Sequence, residues 1–385
     1  MKEKSLALHE ANKGKIEVVS KVSTNTREDL SLAYSPGVAF PCLEIKENKE
    51  NVYKYTSKGN LIAVVSDGTA VLGLGDIGPL AGLPVMEGKA ILFKNFGGVD
   101  AFPICLDTKD PDEIISICKA IAPTFGGINL EDISSPRCFY IEKTLKKELD
   151  IPVFHDDQHG TAIVVLAALK NACRLLAREF CDLKVVVNGP GAAGTSIIKL
   201  LHLNGIKNIV ACDKDGVLYK ERENLTLHKE DLCEITNPGH IRGDLKDAMI
   251  GADVFIGVSV ADCVTEDMIK SMNQDPIIFA MANPNPEITY DKAKAAGAKI
   301  VGTGRSDFPN QINNVLVFPG LFKGALAAKC KITEEIKVAA ADAISSLVTD
   351  DELSEEYIIP NPLDPRVAET VAKFILEAVG KPYGI

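Results

Sequence analysis

The chain has 385 residues, 46% of them hydrophobic and 25% charged, with a formal net charge of −11. That length exceeds one ordinary core and points to two or three domains of a soluble globular protein. The acidic balance argues against a nucleic-acid partner, which would need a basic face. Ten cysteines lie scattered from Cys42 to Cys330 with no Cys-x-x-Cys pair, which fits free thiols better than a disulfide framework or structural zinc. No apolar signal core follows Met1, and no segment reaches the ~18 uninterrupted apolar residues of a membrane span. A cytoplasmic location without a membrane partner is expected.

Residues 1–30 read as a polar amphipathic opening. Pro36 and Gly37 then make a turn that biases Ser35 away from helix and leaves Tyr34 on irregular backbone. Its plain reading is a packing residue with a wet hydroxyl. Leu61 to Val65 is a buried-strand run ended by Ser66, Asp67, Gly68 and Thr69. The stretch Val71–Gly78 contains Gly73-x-Gly75-x-x-Gly78 but follows no long strand, so it reads as tight turns lining a cleft rather than a dinucleotide loop. Lys89 sits in the apolar run from Pro84 to Lys94, where the alternatives are a snorkelling lysine and a buried functional one. A strand over Phe102–Leu106 follows, then a helix capped at Asp110 and running to about Ala122.

Glu131 and Asp132 end the next apolar strand, and Asp156 and Asp157 end another that begins at Ile151. Two strand ends that each present adjacent carboxylates can converge on one hard divalent cation, Mg²⁺ or Mn²⁺. On extended backbone the neighbours Asp156 and Asp157 would point apart and so serve different groups. His155 and His159 have the i, i+4 spacing of a zinc pair. However, Asp follows the first of them and His155 lies at a strand end, so both read as structural.

From Gly160 to Arg178 a largely apolar helix is expected to join the two domains. Next come the strand Leu183–Asn188, the loop Gly189-Pro-Gly191-Ala192-Ala193-Gly194, the helix Thr195–Leu203 and the strand Ile209–Asp213. The last ends in an acid 24 residues after Gly189. This is the dinucleotide fingerprint in full context. Gly189 makes the turn, Gly191 lets the pyrophosphate approach, Gly194 permits close packing, and Asp213 would accept from ribose hydroxyls. Further strands over Asp253–Gly257, Pro276–Met281 and Ala298–Val301 put Val258, Ser259 and Asn283 just past strand ends, where open α/β sheets bind ligands. Asn313 and Asn314 read as turn residues before a helix from about Leu321. Two more helices follow from Thr333, separated by the proline-rich loop Ile359–Pro365. The fold expected is α/β in two domains. Residues 1–159 form an N-terminal α/β substrate and metal domain, and residues 160–385 a doubly wound Rossmann-type NAD(P)-binding domain with C-terminal helices.

Six stretches together resemble the short bacterial type of malic enzyme: Leu32–Val38, Ser66–Asp76, Glu87–Lys89, Leu130–Asp132, Val153–Ala162 and Ala282–Glu287. The resemblance covers nearly the whole chain. It implies divalent-metal-dependent oxidative decarboxylation of (S)-malate to pyruvate and CO₂ with reduction of NAD(P)⁺, in a homodimer. It further implies Glu131, Asp132 and Asp157 on the metal, Lys89 as general base oriented by Asp156, and Tyr34 as the acid that protonates C3. Asn283, Asn313 and Asn314 would hold substrate, and Asn283 would also border the cofactor. Larger malic enzymes carry an arginine where this chain has Ala70, so Lys94 or a second subunit is expected to meet the distal carboxylate. Asp213 favours NAD by repelling a 2′-phosphate, while its neighbour Lys214 could pair with one; the balance leans to NAD. The competing readings are a metal-independent two-domain amino-acid or hydroxy-acid dehydrogenase and a non-catalytic NAD(P)-binding regulator.

Overall fold

The computed structural model describes residues 1–71 and 73–381. Leu72, within the Val71–Gly78 stretch, and residues 382–385 of the expected second domain lie outside the described residues. Helices α1 (Lys2–Asn12), α2 (Arg27–Ala33), α3 (Ala39–Glu47) and α4 (Val52–Tyr55) open the chain, and none of them contains a buried residue.

A first sheet and its helices follow in alternation: β1 (Leu61–Ser66), α5 (Gly78–Gly97), β2 (Asp100–Cys105), α6 (Pro111–Ile121), β3 (Gly127–Leu130), α7 (Arg137–Glu148) and β4 (Val153–His155). The strand order is β2-β1-β3-β4, and every pairing is parallel. The apolar run Ile62–Val65 is buried without alternation, as a parallel strand covered on both faces requires. Asp110 caps α6 by accepting from the N–H groups of Asp112 and Glu113, which fixes where that helix begins.

Helix α8 (Asp156–Leu176) leaves β4 with no intervening loop. The expected start at Gly160 is therefore one turn late, and Asp156 and Asp157 stand in the first helical turn rather than on extended backbone. They diverge by the ~100° between successive helical residues, not by ~180°. Their charges also face the positive end of the helix dipole, which favours acids there. By length and composition α8 could cross a bilayer, but 67% of its apolar window is buried inside the protein.

The second sheet comprises β5 (Lys184–Asn188), α9 (Ala192–Leu203), β6 (Asn208–Asp213), β7 (Gly216–Val217), α10 (Leu227–Cys233), α11 (Leu245–Met249), β8 (Val254–Gly257), α12 (Glu266–Lys270), β9 (Ile277–Ala280), α13 (Tyr290–Ala295) and β10 (Ile300–Thr303). Its order is β10-β9-β8-β5-β6-β7, parallel except for β7. The winding reverses beside β5, so the crevice between the ends of β5 and β8 is the switch point where such sheets take ligands.

Helices α14 (Phe318–Ala328), α15 (Glu334–Ser346) and α16 (Arg366–Ala378) close the chain. Helix α14 packs on α16 and also returns to α5 of the first sheet. A Cβ on Gly97 would lie 2.7 Å from the Pro319 carbonyl oxygen, so α5 and α14 approach closely because that residue has none. At this seam Phe93 lies 4.6 Å from Phe318 and 5.4 Å from Phe322 between ring centroids, and Phe154 of β4 lies 6.1 Å from Phe322. All four rings are fully buried. Phe322→Ala should lower stability by ~3–5 kcal/mol in chemical denaturation. A loss below ~1 kcal/mol would show that these rings do not hold α14 on the first sheet.

Candidate active site

Three strand ends and one helix build the site. The loop after β1 is latched to the loop after β3: the N–H groups of Thr69 and Ala70 both donate to the Asp132 carbonyl, at 3.1 and 2.9 Å. Asp67, fully buried, is neutralised by Arg137 at 2.7 Å and accepts from the Thr69 hydroxyl at 2.6 Å. Asp132 itself has φ 54°, a left-handed conformation uncommon outside glycine and enriched where a site dictates backbone shape. Its N–H donates to Asp157 Oδ2 at 2.8 Å, which ties the ends of β3 and β4 together.

Lys89 enters from α5. Its Nζ lies 2.6 Å from Asp156 Oδ2 and 2.9 Å from Glu131 Oε1, and 4.3 Å from the centroid of the Phe318 ring. Asn129 donates to Glu131 Oε2 at 2.8 Å and Asn314 to Asp156 Oδ2 at 2.6 Å. A Cβ on Gly160 would fall 2.1 Å from Asp156 Oδ1 and 2.8 Å from Asn314 Cβ. Glycine is thus demanded inside α8 by the two side chains it accommodates, not by a helix start.

The carboxylates divide into two groups. Asp156 faces Lys89. Ligand atoms of Glu131, Asp132 and Asp157 lie within 4.8 Å of one another, the one such cluster of potential metal ligands among the described residues. Asp132 Oδ2 is buried without a hydrogen-bond partner. Three carboxylates, one with an orphaned oxygen, are a donor set suited to a hard divalent cation. The residues present therefore fit the metal that the sequence implied. Burial, with Asp157 nearby, pushes the Asp132 carboxyl up to about 8, and burial raises Glu131 well above the carboxylate range against the pull of Lys89. Burial also pushes Asp156 up to about 6, with Lys89 opposing. A lysine acting as general base needs a lowered amine pKa. Burial does act that way, but Asp156 and Glu131 outweigh it and hold the Lys89 ammonium above its ordinary value. With no cation present, Lys89 is the counter-charge of the acidic cluster rather than a free base.

Across the cleft, Gly191 is the N-cap of α9, which starts at Ala192 rather than at Thr195. A Cβ on Gly189 would lie 2.6 Å from the Val258 carbonyl, and one on Gly194 would lie 2.1 Å from the Gly189 carbonyl. Gly191 has open space, as a position approached by pyrophosphate needs. Ala192 and Ala193 form the helix's first turn, with N–H groups available to phosphate. Gly189, Gly191, Asp213, Lys214, Val258 and Ser259 line one cavity of about 620 Å³. Ser135, three residues past Asp132, lines the same cavity, so the two halves of the site are contiguous.

The structure gives several of the expected residues partners or surroundings that the sequence did not show. Asp213 is not a free acid: Arg222 lies 2.6 Å from Oδ1 and Lys229 2.5 Å from Oδ2. Burial raises it, but these two cations outweigh burial and hold it below the usual range. Its power to repel a 2′-phosphate is correspondingly offset, and the argument for NAD over NADP loses its basis. Lys94 pairs with Asp100 at 2.7 Å on the exposed side of α5, five residues and so about 140° around the helix from Lys89. It does not face the site. Asn313 accepts from its own turn at Val315 N–H, 2.9 Å away, while Asn314 meets Asp156. Asn283 stands exposed on the loop whose carbonyl closes over Gly73. Tyr34 is 70% exposed, and the structure does not bring it to Lys89.

Sequence reasoning missed Glu287. It is fully buried and accepts from the N–H groups of Ser259 at 2.9 Å and Ala282 at 3.0 Å, tying the loop that lines the cofactor cavity to the loop after β9. The signal was Gly257, where a Cβ would lie 2.4 Å from the Glu287 carboxyl carbon.

A dinucleotide cradle joined to a buried lysine and a three-carboxylate cation site defines the class of metal-assisted, dinucleotide-dependent oxidoreductases. Comparison with known proteins narrows this. Residues 11–146 match the family model "Malic enzyme, N-terminal domain" and residues 158–379 match "Malic enzyme, NAD binding domain". A Bacillus subtilis bifunctional malic/malolactic enzyme is 59% identical over 380 residues, covering 98% of this chain and 93% of that protein. A Geobacillus stearothermophilus NAD-dependent malic enzyme is 56% identical over 366 residues, covering 95% and 76%. The crystal structure of malic enzyme from Pyrococcus horikoshii superposes with a TM-score of 0.95 at 51% identity, covering 98% of this chain and 90% of that one. The chain belongs to the malic enzyme family.

The raised carboxyls make cation binding proton-linked, because a ligand must be deprotonated first. Asp132 near 8 is largely protonated at neutral pH and Glu131 is raised as well, so Mn²⁺ affinity should rise by at least about tenfold per pH unit on the approach to pH 8. Calorimetric titration at about pH 7, in buffers of differing ionisation heat, should show release of about one proton or more. An affinity that stays flat across this range would contradict the carboxyl assignment.

Proposed function

We propose that the chain catalyses divalent-metal-dependent oxidative decarboxylation of (S)-malate to pyruvate and CO₂, with reduction of NAD⁺ or NADP⁺. The observation that carries this reading is the placement of Lys89 between Asp156 and the Glu131–Asp132–Asp157 set, beside the dinucleotide cavity. Bound by those three acids, a divalent cation would polarise the C2 oxygen and, by its charge, lower Lys89 toward the neutral amine a base requires. Lys89 then takes the C2 hydroxyl proton as hydride leaves C2 for the nicotinamide. Asp156 holds the lysine in place and Asn314 holds Asp156. The β-keto acid loses CO₂, and Tyr34 donates a proton to C3 of the enolate. A metal-independent dehydrogenase would have no use for the three-acid set, and a non-catalytic regulator would have no use for the buried lysine.

Tyr34, exposed on its own chain, must reach the site from another copy. The chain between Lys21, paired with Asp100 at the start of β2, and Lys58, bonded to the Phe125 carbonyl before β3, leaves and rejoins the end of the first sheet opposite the site. This excursion carries Leu30, Leu32, Tyr34, Phe40 and Leu43, all more than half exposed. Monomers rarely leave so contiguous an apolar face in water. A second copy of the chain is its proposed cover, in a homodimer where each Tyr34 serves the partner's Lys89. By two-fold symmetry, mixing inactive Tyr34→Phe and Lys89→Ala chains should restore roughly a quarter of the activity, since half the dimers then hold one intact site of two. No recovery after exchange of subunits would place Tyr34 in its own chain's site.

Malate assayed with NAD⁺ and with NADP⁺, with and without Mn²⁺, should show reduced cofactor and CO₂ only when metal is present. Lys89→Ala should lower turnover by at least about 10²-fold while leaving dinucleotide binding intact. Turnover that survives EDTA would overturn the reading.

A further inference from the structure

The first turn of α8 carries Asp156 and Asp157 toward Glu131 and Asp132, so four carboxylates share one buried region with a single lysine. The shape of the cluster depends on what holds that turn beside β3, which the Asp132 N–H does from within by donating to Asp157. One buried carboxylate does so from both sides. Glu142 of α7 accepts the backbone N–H of His155 at 3.2 Å, immediately before the acidic pair, and meets His159 Nε2 at 2.8 Å, immediately after it.

The contacts continue past the imidazole. Lys337 of α15, with its side chain 3% exposed, lies 3.0 Å from His159 Nδ1 and 2.6 Å from Glu334. Lys146 completes the other end at 2.8 Å from Glu142 Oε1. An ammonium only donates, so Nδ1 must be the acceptor and Nε2–H must donate to Glu142. Every polar atom of Glu142 and His159 is thereby used, which is the condition under which a buried polar network fixes a unique geometry. Three helices (α7, α8 and α15) meet at this one imidazole.

We propose that Glu142 and His159, backed by Lys337, are positioning residues that hold the first turn of α8 so that Asp156 meets Lys89 and Asp157 joins Glu131 and Asp132. This rests on the cation and lysine roles given above. Neither residue touches substrate. Their effect passes through the two acids they bracket, as outer-shell partners commonly set the affinity of metal carboxylates.

Glutamine separates positioning from bulk packing, because its amide can donate to Glu142 and accept from Lys337 as imidazole does. Leucine can do neither. Mn²⁺ binding by the substrate-free enzyme, read by paramagnetic resonance of the free ion, should weaken roughly 10- to 100-fold in His159→Leu. It should return to within about threefold of wild type in His159→Gln, since the same two hydrogen bonds re-form. Dinucleotide binding should be unchanged in both and so reports that the fold is intact. Lys337→Met, which removes only the far end, should weaken Mn²⁺ in the same direction and serves if His159→Leu does not fold. Wild-type Mn²⁺ affinity in His159→Leu or in Lys337→Met, or a loss in His159→Gln as large as in His159→Leu, would overturn the proposal. Failure of the wild-type protein itself to bind Mn²⁺ would remove the metal reading of the site and the proposal together.

Discussion

Lys89 is the one lysine set against four carboxylates, three buried and Asp157 part-exposed, and the arrangement of the first domain follows from that imbalance. A buried charge persists only when it is paired and hydrogen-bonded. Here a single ammonium is shared between Glu131 and Asp156, with the face of Phe318 against it, Asn129 on the other oxygen of Glu131 and Asn314 on the same Asp156 oxygen that the lysine meets. The residues involved come from α5, β3, α8 and the turn before α14. The last of these is why the C-terminal helices return to the first sheet: without Asn314 and Phe318, Lys89 and Asp156 would have open sides. The shortage of positive charge that remains is what suits the Glu131–Asp132–Asp157 corner to a divalent cation.

Two further buried acids do structural work of the same kind. Glu142 grips backbone before α8 and a side chain one turn into it, while Glu287 grips the backbone of the two loops over the second sheet. In each case a carboxylate is spent on peptide N–H groups that an ordinary loop would give to water. Such bonds, to a charged acceptor, are stronger than neutral ones. They also act at a distance from the chemistry, which leaves the reacting side chains free of structural duty. The glycines follow from these close approaches. Gly160 yields to Asp156 and Gly257 yields to Glu287, so each marks a carboxylate seated against backbone.

What the sequence made legible was whatever is carried by neighbours in the chain. The loop from Gly189 to Gly194 lies between a strand and a helix within one short segment, and its geometry follows from local sterics alone. The acids at Glu131–Asp132 and Asp156–Asp157 were visible as pairs because each sits where an apolar run stops. Contacts between distant segments were not visible. Nothing near Asp213 announces that Arg222 and Lys229 will fold back onto it, and nothing near Lys94 shows that Asp100 will claim it. The start of α8 was misplaced because Gly160 resembles a helix boundary, whereas its missing side chain answers to Asp156 one turn back and to Asn314 far along the chain. Tyr34 could be recognised from its motif but not brought to the site, since it stands 70% exposed on its own chain.

That last point separates two kinds of catalytic group by what each must do. A lysine that serves as base has to lose its proton, so its environment must be dry, rigid and dominated by charges whose balance a bound cation can tip. Only strand ends and a buried helix turn provide that. A tyrosine that donates a proton late in the reaction needs no buried array of charges around it. It needs only to arrive. In the proposed homodimer, carrying it on an excursion whose apolar face a second copy covers would make assembly a condition of completing the reaction. The half-built site of one chain would then be able to bind cation and dinucleotide without being able to finish turnover.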